Sequence, residues 1–253
     1  MRKQIHIFLH ALMFYTRIPV PFRIPYSDEM LNRSTRYFPL IGLLVGGIGA
    51  GVYALALLVF PPALALLLSM VSTIFVTGAF HEDGFADFCD GFGGGYMSPE
   101  RILEIMKDSR LGTYGAVGLV FMLAIKFTSL NALPAGEIIP ALLVAHPLSR
   151  LMPVLIIYTI SYSRTDGKSK TKPIGKRGKW SDLVFAILIP LAALAYFPWK
   201  VAVVSLAVLL VITFFFGKYL LKRLGGYTGD CLGALQQLCE VTFYLVIIGN
   251  QWI

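Results

Sequence analysis

Seven predominantly apolar stretches of about 20 residues constrain this chain more than any other feature of its sequence. A helix needs about 20 such residues to cross the hydrocarbon core of a bilayer, so each stretch predicts a spanning helix. The predicted spans are 38–60, 63–80, 113–132, 138–160, 182–197, 200–217 and 231–250. Only 14% of the residues are charged, against about 25% in soluble domains. The predicted fold class is therefore all-α, a polytopic integral membrane helical bundle in a single domain, residues 1–253.

The N-terminal segment predicts a helix that lies in the membrane interface. It starts with Arg2 and Lys3 and then becomes apolar, as a secretory signal peptide does. However, it lacks a small-residue cleavage site, and His6 and His10 interrupt its apolar part. An interfacial amphipathic helix that ends at Arg17, before two prolines, fits these residues better.

Basic residues are concentrated in alternate connections between the predicted spans. Nearly all Lys and Arg lie in the N-terminal segment and in the loops 81–112, 161–180 and 218–230, whereas the opposite connections contribute only Lys200. Under the positive-inside rule, the N-terminus and these loops face the cytoplasm. We expect the flexible loop 161–180 to contact anionic lipid headgroups, or else to gather an anionic substrate. No basic module with interleaved aromatic residues occurs, so nucleic acid is not an expected partner.

The segment 80–115 holds half of the acidic residues of the chain. In a helix, Asp83, Asp87 and Asp90 would stand on one face at i, i+4 and i+7. Such carboxylates repel each other unless a cation lies between them, and hard oxygen ligands suit Mg²⁺, or alternatively Mn²⁺. The three aspartates are thus predicted metal ligands of a diphosphate site at the membrane edge, with Asp108 a weaker fourth. The alternative is a solvated acidic loop.

Basic residues follow these aspartates closely in the sequence. Lys107 and Arg110 are predicted to bind phosphate oxygens, which Arg can contact through two hydrogen bonds. Together with Arg101 and Glu104 they also suit the exposed face of a helix, so both interpretations stand. Near the last span, the Gly-rich turn before Asp230 predicts an anion site at a helix N-terminus, or else a helix that Asp230 caps.

Four ionisable residues lie within predicted spans: Lys126, His146, Arg150 and Glu240. A charge in the bilayer needs a partner or a polar cavity, so each of them is a functional candidate. We predict that Arg150 and Lys126 bind substrate. Structural ion pairing, for instance between Arg150 and Glu240, is the competing interpretation, and Lys126 and Arg150 could also snorkel from helix ends.

Taken in order, several short motifs resemble those of the cobalamin synthase family, the adenosylcobinamide-GDP ribazoletransferases. They are Arg17-Ile-Pro-Val-Pro21, Phe38-Pro-Leu-Ile-Gly42, Phe80-His81, Asp83-Gly84, Ala86-Asp87, Asp90-Gly91, Glu104-Ile-Met-Lys-Asp-Ser-Arg-Leu-Gly112, Thr228-Gly-Asp230 and Leu232-Gly-Ala234. The resemblance covers nearly the whole chain. One departure is Glu82, where the family pattern usually has an apolar residue, so that Glu82 is either a further ligand or an exposed side chain.

The resemblance implies a protein of the prokaryotic cytoplasmic (inner) membrane whose active site faces the cytoplasm. Its substrates would be adenosylcobinamide-GDP and α-ribazole, or α-ribazole 5′-phosphate, with GMP as the leaving product and Mg²⁺ as the cofactor. Asp90 or His81 would take the proton from the attacking hydroxyl. Asp230 would orient a ribose or a second metal ion. The sequence leaves open whether copies of the chain associate into a homo-oligomer.

Two other classes of protein use similar residues. A CDP-alcohol phosphotransferase or a membrane prenyltransferase shares the metal–diphosphate chemistry, although the former has an Arg where Asp87 follows Ala86. A cation-coupled transporter would place its acidic residues near the midplane of broken helices in paired repeats. Here the acidic residues cluster at one edge and no repeat occurs, which favours the transferase.

Overall fold

The computed structural model of the protein describes residues 2–21, 24–25, 27–95, 98–108, 110–163 and 178–250. Within these residues the fold is entirely helical, which confirms the predicted class. The helices are α1 (Arg2–Tyr15), α2 (Asp28–Ser34), a 3-10 turn (Thr35–Tyr37), α3 (Phe38–Ala56), α4 (Pro62–Thr77), α5 (Phe80–Gly94), α6 (Pro99–Ile105), α7 (Thr113–Asn131), α8 (Ala135–Thr159), α9 (Trp180–Leu194), α10 (Trp199–Leu224) and α11 (Gly229–Asn250). Most of the predicted flexible loop 161–180, namely residues 164–177, lies outside the described ranges.

Five helical segments of the described chain are long and apolar enough to span a membrane. They are the continuous segment from α2 through α3, and α7, α8, α10 and α11. The bent pair α4 and α5 counts as a sixth if it forms one broken span. Because α9 has only 15 residues, it falls short of the usual length. An integral membrane protein is therefore supported, while the number seven stays a prediction.

Two predicted boundaries are wrong for identifiable reasons. The first predicted span continues to residue 60, but α3 ends at Ala56, a few residues before Pro61 and Pro62. The sixth ends at residue 217, but α10 continues to Leu224 through a basic last turn. It stops only where Gly225 adopts a left-handed backbone with φ of +67°, the usual end of a helix at glycine.

A sharp corner separates α4 from α5, so the second predicted span, which continues to residue 80, is wrong at its end. Gly78 and Ala79 both have positive φ, +65° and +56°, and the two helices meet at 86°. Glycine adopts this backbone freely, whereas alanine is strained in it. Arg17 fastens the corner from outside, because its N–H donates to the carbonyl oxygen of Val76 at 2.7 Å and its side chain lies against Gly78.

Helix α8 forms the centre of the bundle and packs against α3, α9 and α11. Two glycines bring α3 close to it: a Cβ on Gly42 would lie 2.5 Å from the carbonyl oxygen of His146, and one on Gly46 would lie 2.6 Å from that of Leu142. Small residues commonly allow such close packing of membrane helices. The core is therefore built around backbone contact between α3 and α8.

A buried ion pair fastens α9 to the segment that precedes α3. Asp182 is fully buried and accepts hydrogen bonds from Arg36 Nη1 at 2.7 Å and from Arg33 Nε at 3.3 Å. The two arginines are three residues apart and so point to the same side of the chain. The short helix α9 is held in place by this contact as well as by its apolar face.

Candidate active site

The acidic stripe (Asp83, Asp87 and Asp90) lies on α5, so the helix that the spacing required is present. The three side chains differ in burial: Asp83 is exposed, Asp87 half-buried and Asp90 buried. Within the described ranges, no three His, Cys, Asp or Glu side chains form a group that could hold a metal ion. The structure confirms that the three aspartates lie on one helix, and their role in binding metal stays a prediction.

Asp90 already has two hydrogen-bond partners. Its carboxylate accepts from the backbone N–H of Gly112 at 2.7 Å and of Gly115 at 2.8 Å. These groups belong to the start of α7, where helical N–H donors lack partners within the helix. A Cβ on either glycine would collide with the Asp90 carboxylate. Asp90 therefore fixes the start of α7 against α5.

Replacing Asp90 by alanine should destabilise the protein by about 1 to 3 kcal/mol, because the buried N–H of Gly115 would lose its acceptor. Thermal unfolding in detergent measures the loss, and amide hydrogen exchange at Gly112 and Gly115 locates it. The control is Glu104→Ala, since exposed Glu104 forms only a surface pair with Arg101 at 2.7 Å, worth at most about 1 kcal/mol. Equal stability of the two variants would contradict the assignment.

A wide polar cleft of about 830 Å³ opens beside Asp90. The predicted phosphate ligands Lys107 and Arg110 line it, together with Arg101 and Asp108. Arg110 donates to both oxygens of the Asp108 carboxylate, from Nη2 to Oδ2 at 2.6 Å and from Nε to Oδ1 at 3.0 Å. These hydrogen bonds lower the pKa of Asp108 below its usual value. The cleft thus brings the predicted anion-binding residues together around one space.

Asp230 lies at the start of α11, directly against α5. The Cα and carbonyl oxygen of Asp230 lie 3.1 and 3.2 Å from the position of a Cβ on Gly84, the residue after Asp83. The alternative that Asp230 caps α11 is wrong, because the N–H of Cys231 donates to Thr228 Oγ1 at 3.3 Å. Thr228 is the cap, and its hydroxyl also donates to Asp230 Oδ2 at 3.3 Å.

The ionisable residues predicted within spans meet in a buried polar network. Lys126 Nζ lies 3.0 Å from Glu240 Oε1, and His146 Nδ1 lies 3.7 Å from Glu240 Oε2. The predicted pairing of Arg150 with Glu240 is wrong, because Arg150 Nη1 instead contacts Nδ1 and the carbonyl oxygen of His146 at 3.1 and 3.0 Å. Lys126 and Arg150 are both engaged with protein groups inside the bundle, and their contact with substrate stays a prediction.

Glu82 joins the same network through glutamines. Gln237 Nε2 donates to Glu82 Oε1 at 3.0 Å, and Lys126 Nζ donates to Gln237 Oε1 at 2.8 Å. The expectation that Glu82 is merely exposed is wrong, since only 9% of it is accessible. Its second carboxylate oxygen, Oε2, is buried without a hydrogen bond. The network therefore connects α5 to α7 and α11 through the membrane interior.

His81 lies at the start of α5 in an enclosed aromatic pocket. The ring stacks on Phe38 with centroids 5.6 Å apart and planes inclined by 18°. Only 2% of His81 is exposed, and its Nε2 has no hydrogen-bond partner among the described residues. The aromatic pocket is lined mainly by Phe14, Tyr15, Phe38, Phe80, His81 and Tyr227. His81 thus presents one unsatisfied polar atom among aromatic rings.

The profile of the family described as Cobalamin-5-phosphate synthase matches residues 7–248, nearly the whole chain. The chain belongs to this family. Three relatives named adenosylcobinamide-GDP ribazoletransferase agree with the assignment: that of Vibrio cholerae serotype O1 is 45% identical over 98% of this chain and 95% of its own. That of Shewanella amazonensis is 42% identical over 98% and 96%, and that of Ralstonia pickettii is 43% identical over 91% and 90%. No solved structure matches the chain.

The family match confirms the resemblance that the sequence motifs predicted, and it confirms the enzyme class as well. Sequence reasoning missed other residues of the site region. Gln236 and Gln237 carry no charge and so gave no signal within an apolar span, although both are buried in the network. The sequence also gave no signal for the buried ion pair of Asp182, because its two arginine partners lie 146 and 149 residues away along the chain.

Proposed function

We propose that this protein is an adenosylcobinamide-GDP ribazoletransferase. It transfers the adenosylcobinamide-phosphate group to α-ribazole, or to α-ribazole 5′-phosphate, and releases GMP. The observation that carries the proposal is the full-length similarity to relatives of that name, 45% identical over 98% of the chain in the first of them. The aspartates of α5 and α11, two helices whose backbones touch at Gly84, and the three basic residues of the cleft suit a metal-bound diphosphate substrate.

The proposed reaction exchanges one phosphodiester for another. A ribose hydroxyl oxygen of the acceptor forms a bond to the phosphorus on the cobinamide side of the diphosphate. The bond from that phosphorus to the bridging oxygen breaks, and GMP leaves with this oxygen. The hydroxyl proton passes to a base on the protein, so atoms and charges balance without an oxidant or reductant.

The residues of the stripe fit Mg²⁺. The ion usually takes one or two protein carboxylates and fills its remaining positions with water and substrate phosphates, so a preformed cluster of three is unnecessary. Asp83 and Asp87 would hold it, because they lie one turn apart on the accessible side of α5. When bound, the ion neutralises charge on the diphosphate. We keep Asp90 as a positioning residue, since α7 already occupies its carboxylate.

The cleft residues would bind the departing nucleotide. Lys107 and Arg110 line the wide cleft together with Arg101. Arg110 is exposed, and its guanidinium would exchange its contact with Asp108 for the phosphate oxygens of GMP. Charged hydrogen bonds aimed at a leaving phosphate stabilise the charge that develops on it.

We assign the proton to Asp230 in preference to the two bases that the sequence suggested. Backbone N–H groups of α7 already occupy both oxygens of the Asp90 carboxylate. His81 is enclosed in the aromatic pocket. Asp230 is half-buried, and its backbone packs on Gly84, the residue after Asp83. It would orient the ribose hydroxyl and accept its proton.

We further propose that this site faces the cytoplasm from the inner membrane. The basic last turn of α10 and the basic residues of the cleft lie at the helix ends that the positive-inside rule assigns to the cytoplasm. The nucleotide substrate would then be on the side of the membrane where nucleotides are made.

The function is tested by incubating purified protein with Mg²⁺ and adenosylcobinamide-GDP, with and without α-ribazole. GMP that appears only with α-ribazole supports the proposal. Release of CMP from a CDP-alcohol in place of this reaction would assign the chain to the other class of diphosphate-using enzymes. Failure to release GMP under any of these conditions would overturn the proposal.

Removing divalent metal should lower GMP release at least about 100-fold, because the diphosphate charge would no longer be neutralised. The measurement compares EDTA-treated protein before and after adding Mg²⁺ or Mn²⁺, each of which should restore turnover. Thermal unfolding with and without EDTA is the control and should be unchanged, since the described part of the chain contains no metal cluster that holds the fold. Full turnover in EDTA would contradict the metal assignment.

A further inference from the structure

The aromatic pocket is lined by sequence neighbours of Asp83 and Asp230, two residues of the proposed reaction centre. Its lining includes His81, two residues before Asp83, and Gly229 and Gly233, which flank Asp230 in α11. A Cβ on Gly233 would lie 3.3 Å from the carbonyl oxygen of His81, so the two helices touch here. Any group held in this pocket would lie beside the atoms that react.

The walls of the pocket suit a flat aromatic ligand. Tyr15 stacks on Phe38 with centroids 4.2 Å apart, and Phe38 stacks on His81 at 5.6 Å, both with planes inclined by 18°. Phe14 meets Phe80 edge to face at 5.5 Å. Stacked rings and edge-to-face rings thus both occur in the walls of the pocket. A planar heteroaromatic ligand can form favourable contacts of both kinds with them.

His81 supplies the polar atom that such a ligand would recognise. Its Nε2 is buried, and no group in the described part of the chain forms a hydrogen bond with it, which is costly in an apolar setting. A base whose first ring nitrogen carries a ribose still has a second, bare ring nitrogen, which accepts a hydrogen bond. A neutral histidine with its proton on Nε2 is complementary to that nitrogen.

Resting on the proposed function, we infer that this pocket binds the heteroaromatic base of the acceptor riboside, with His81 Nε2–H donating to the bare ring nitrogen. The ribose attached to the base then extends toward Asp230, whose neighbours Gly229 and Gly233 form the adjacent wall. His81 thereby determines which base is accepted, and it positions the hydroxyl through the rest of the acceptor.

Phe14 controls the space available for the base. The closed pocket measures about 40 Å³. On its other side, Phe14 lines a groove of about 270 Å³ with His10, Met13, Ile24 and Leu31. Rotation of this half-buried side chain joins the two spaces, and rotamer changes of accessible side chains are fast. The base enters from the groove between α1 and α2 as Phe14 turns aside.

The test compares two acceptor ribosides that differ at one ring atom. One carries a benzimidazole base, and the other carries an indole in which carbon replaces the bare nitrogen. The wild-type protein should favour benzimidazole by about 10- to 100-fold in kcat/KM, since the site is built to pair with that nitrogen. His81→Phe should reduce this preference to about one, and His81→Gln, which keeps an amide N–H at similar reach, should retain it.

Phe14→Leu is the matched control on the opposite wall of the pocket. It should change KM for both acceptors while leaving their ratio at the wild-type value, because Phe14 has no polar atom. If His81→Phe does not fold, calorimetric titration of wild-type protein with free benzimidazole and free indole replaces it. Tighter binding of benzimidazole then supports the inference.

The outcomes separate the two proposals. If wild-type protein releases no GMP with either acceptor, the proposed function fails. If it uses both acceptors equally, or if His81→Phe lowers both equally, the pocket inference is overturned while the function stands. Equal calorimetric binding of the two free bases would overturn the inference in the same way.

Discussion

Replacing Asp83 or Asp87 by alanine should lower GMP release at least about 1,000-fold, since each would remove a ligand of the ion that grips the diphosphate. The fold should tolerate either change, because Asp83 is exposed and Asp87 half-buried on α5. The measurement combines a GMP-release assay with thermal unfolding in detergent. Asparagine at either position keeps the shape and removes the charge, so it should be nearly as damaging.

Glu100→Gln is the matched control for these variants. Glu100 is an exposed carboxylate in the first turn of α6, outside the stripe. Its loss changes the net charge by the same amount and should leave turnover within about twofold of wild type, as expected for a surface change. Near-normal turnover in both aspartate variants would end the catalytic assignment of the stripe.

Lys126→Met should destabilise the protein by about 3 to 5 kcal/mol, because the buried carboxylate of Glu240 would lose its cation. The two groups lie 3.0 Å apart with side chains only 7% and 3% exposed. Glu240→Leu should cost a similar amount for the converse reason. Denaturant unfolding in detergent measures both losses.

The double variant Lys126→Met/Glu240→Leu distinguishes the loss of a buried ion pair from a general loss of side-chain packing. With both charges gone, it should be more stable than either single variant, so the two losses would not add. Lys200→Met is the control, since Lys200 is exposed at the start of α10. Single variants as stable as wild type, or losses that simply add, would contradict a coupled pair.

The sequence predicted those features that depend on local pattern. Hydropathy located the apolar helices, and the spacing of Asp83, Asp87 and Asp90 placed them correctly on one helical face. The need of Lys126 and Glu240 for partners followed from the cost of a charge in the bilayer. Family motifs then identified the enzyme class, which the similarity of full-length relatives confirms.

What the sequence did not predict depends on contacts between distant segments. Asp90 has the same residue type and spacing as Asp83, yet α7 lies against it and takes both of its oxygens. Arg150 was a plausible partner of Glu240 by charge, but its guanidinium meets His146 one turn away on its own helix. The hydropathy of the sequence also shows no break at the corner formed by Gly78, because hydropathy reports side-chain polarity and not backbone angles.

The fastening of the corner by Arg17 has a consequence for biosynthesis. Arg17 leaves the ribosome about 60 residues before Val76 and Gly78, which it must contact. At bacterial rates of translation this interval lasts roughly 3 to 12 seconds. The end of the first helix therefore stays unanchored until the bend that receives Arg17 has been made, although the helix can already pack against α2 and α3.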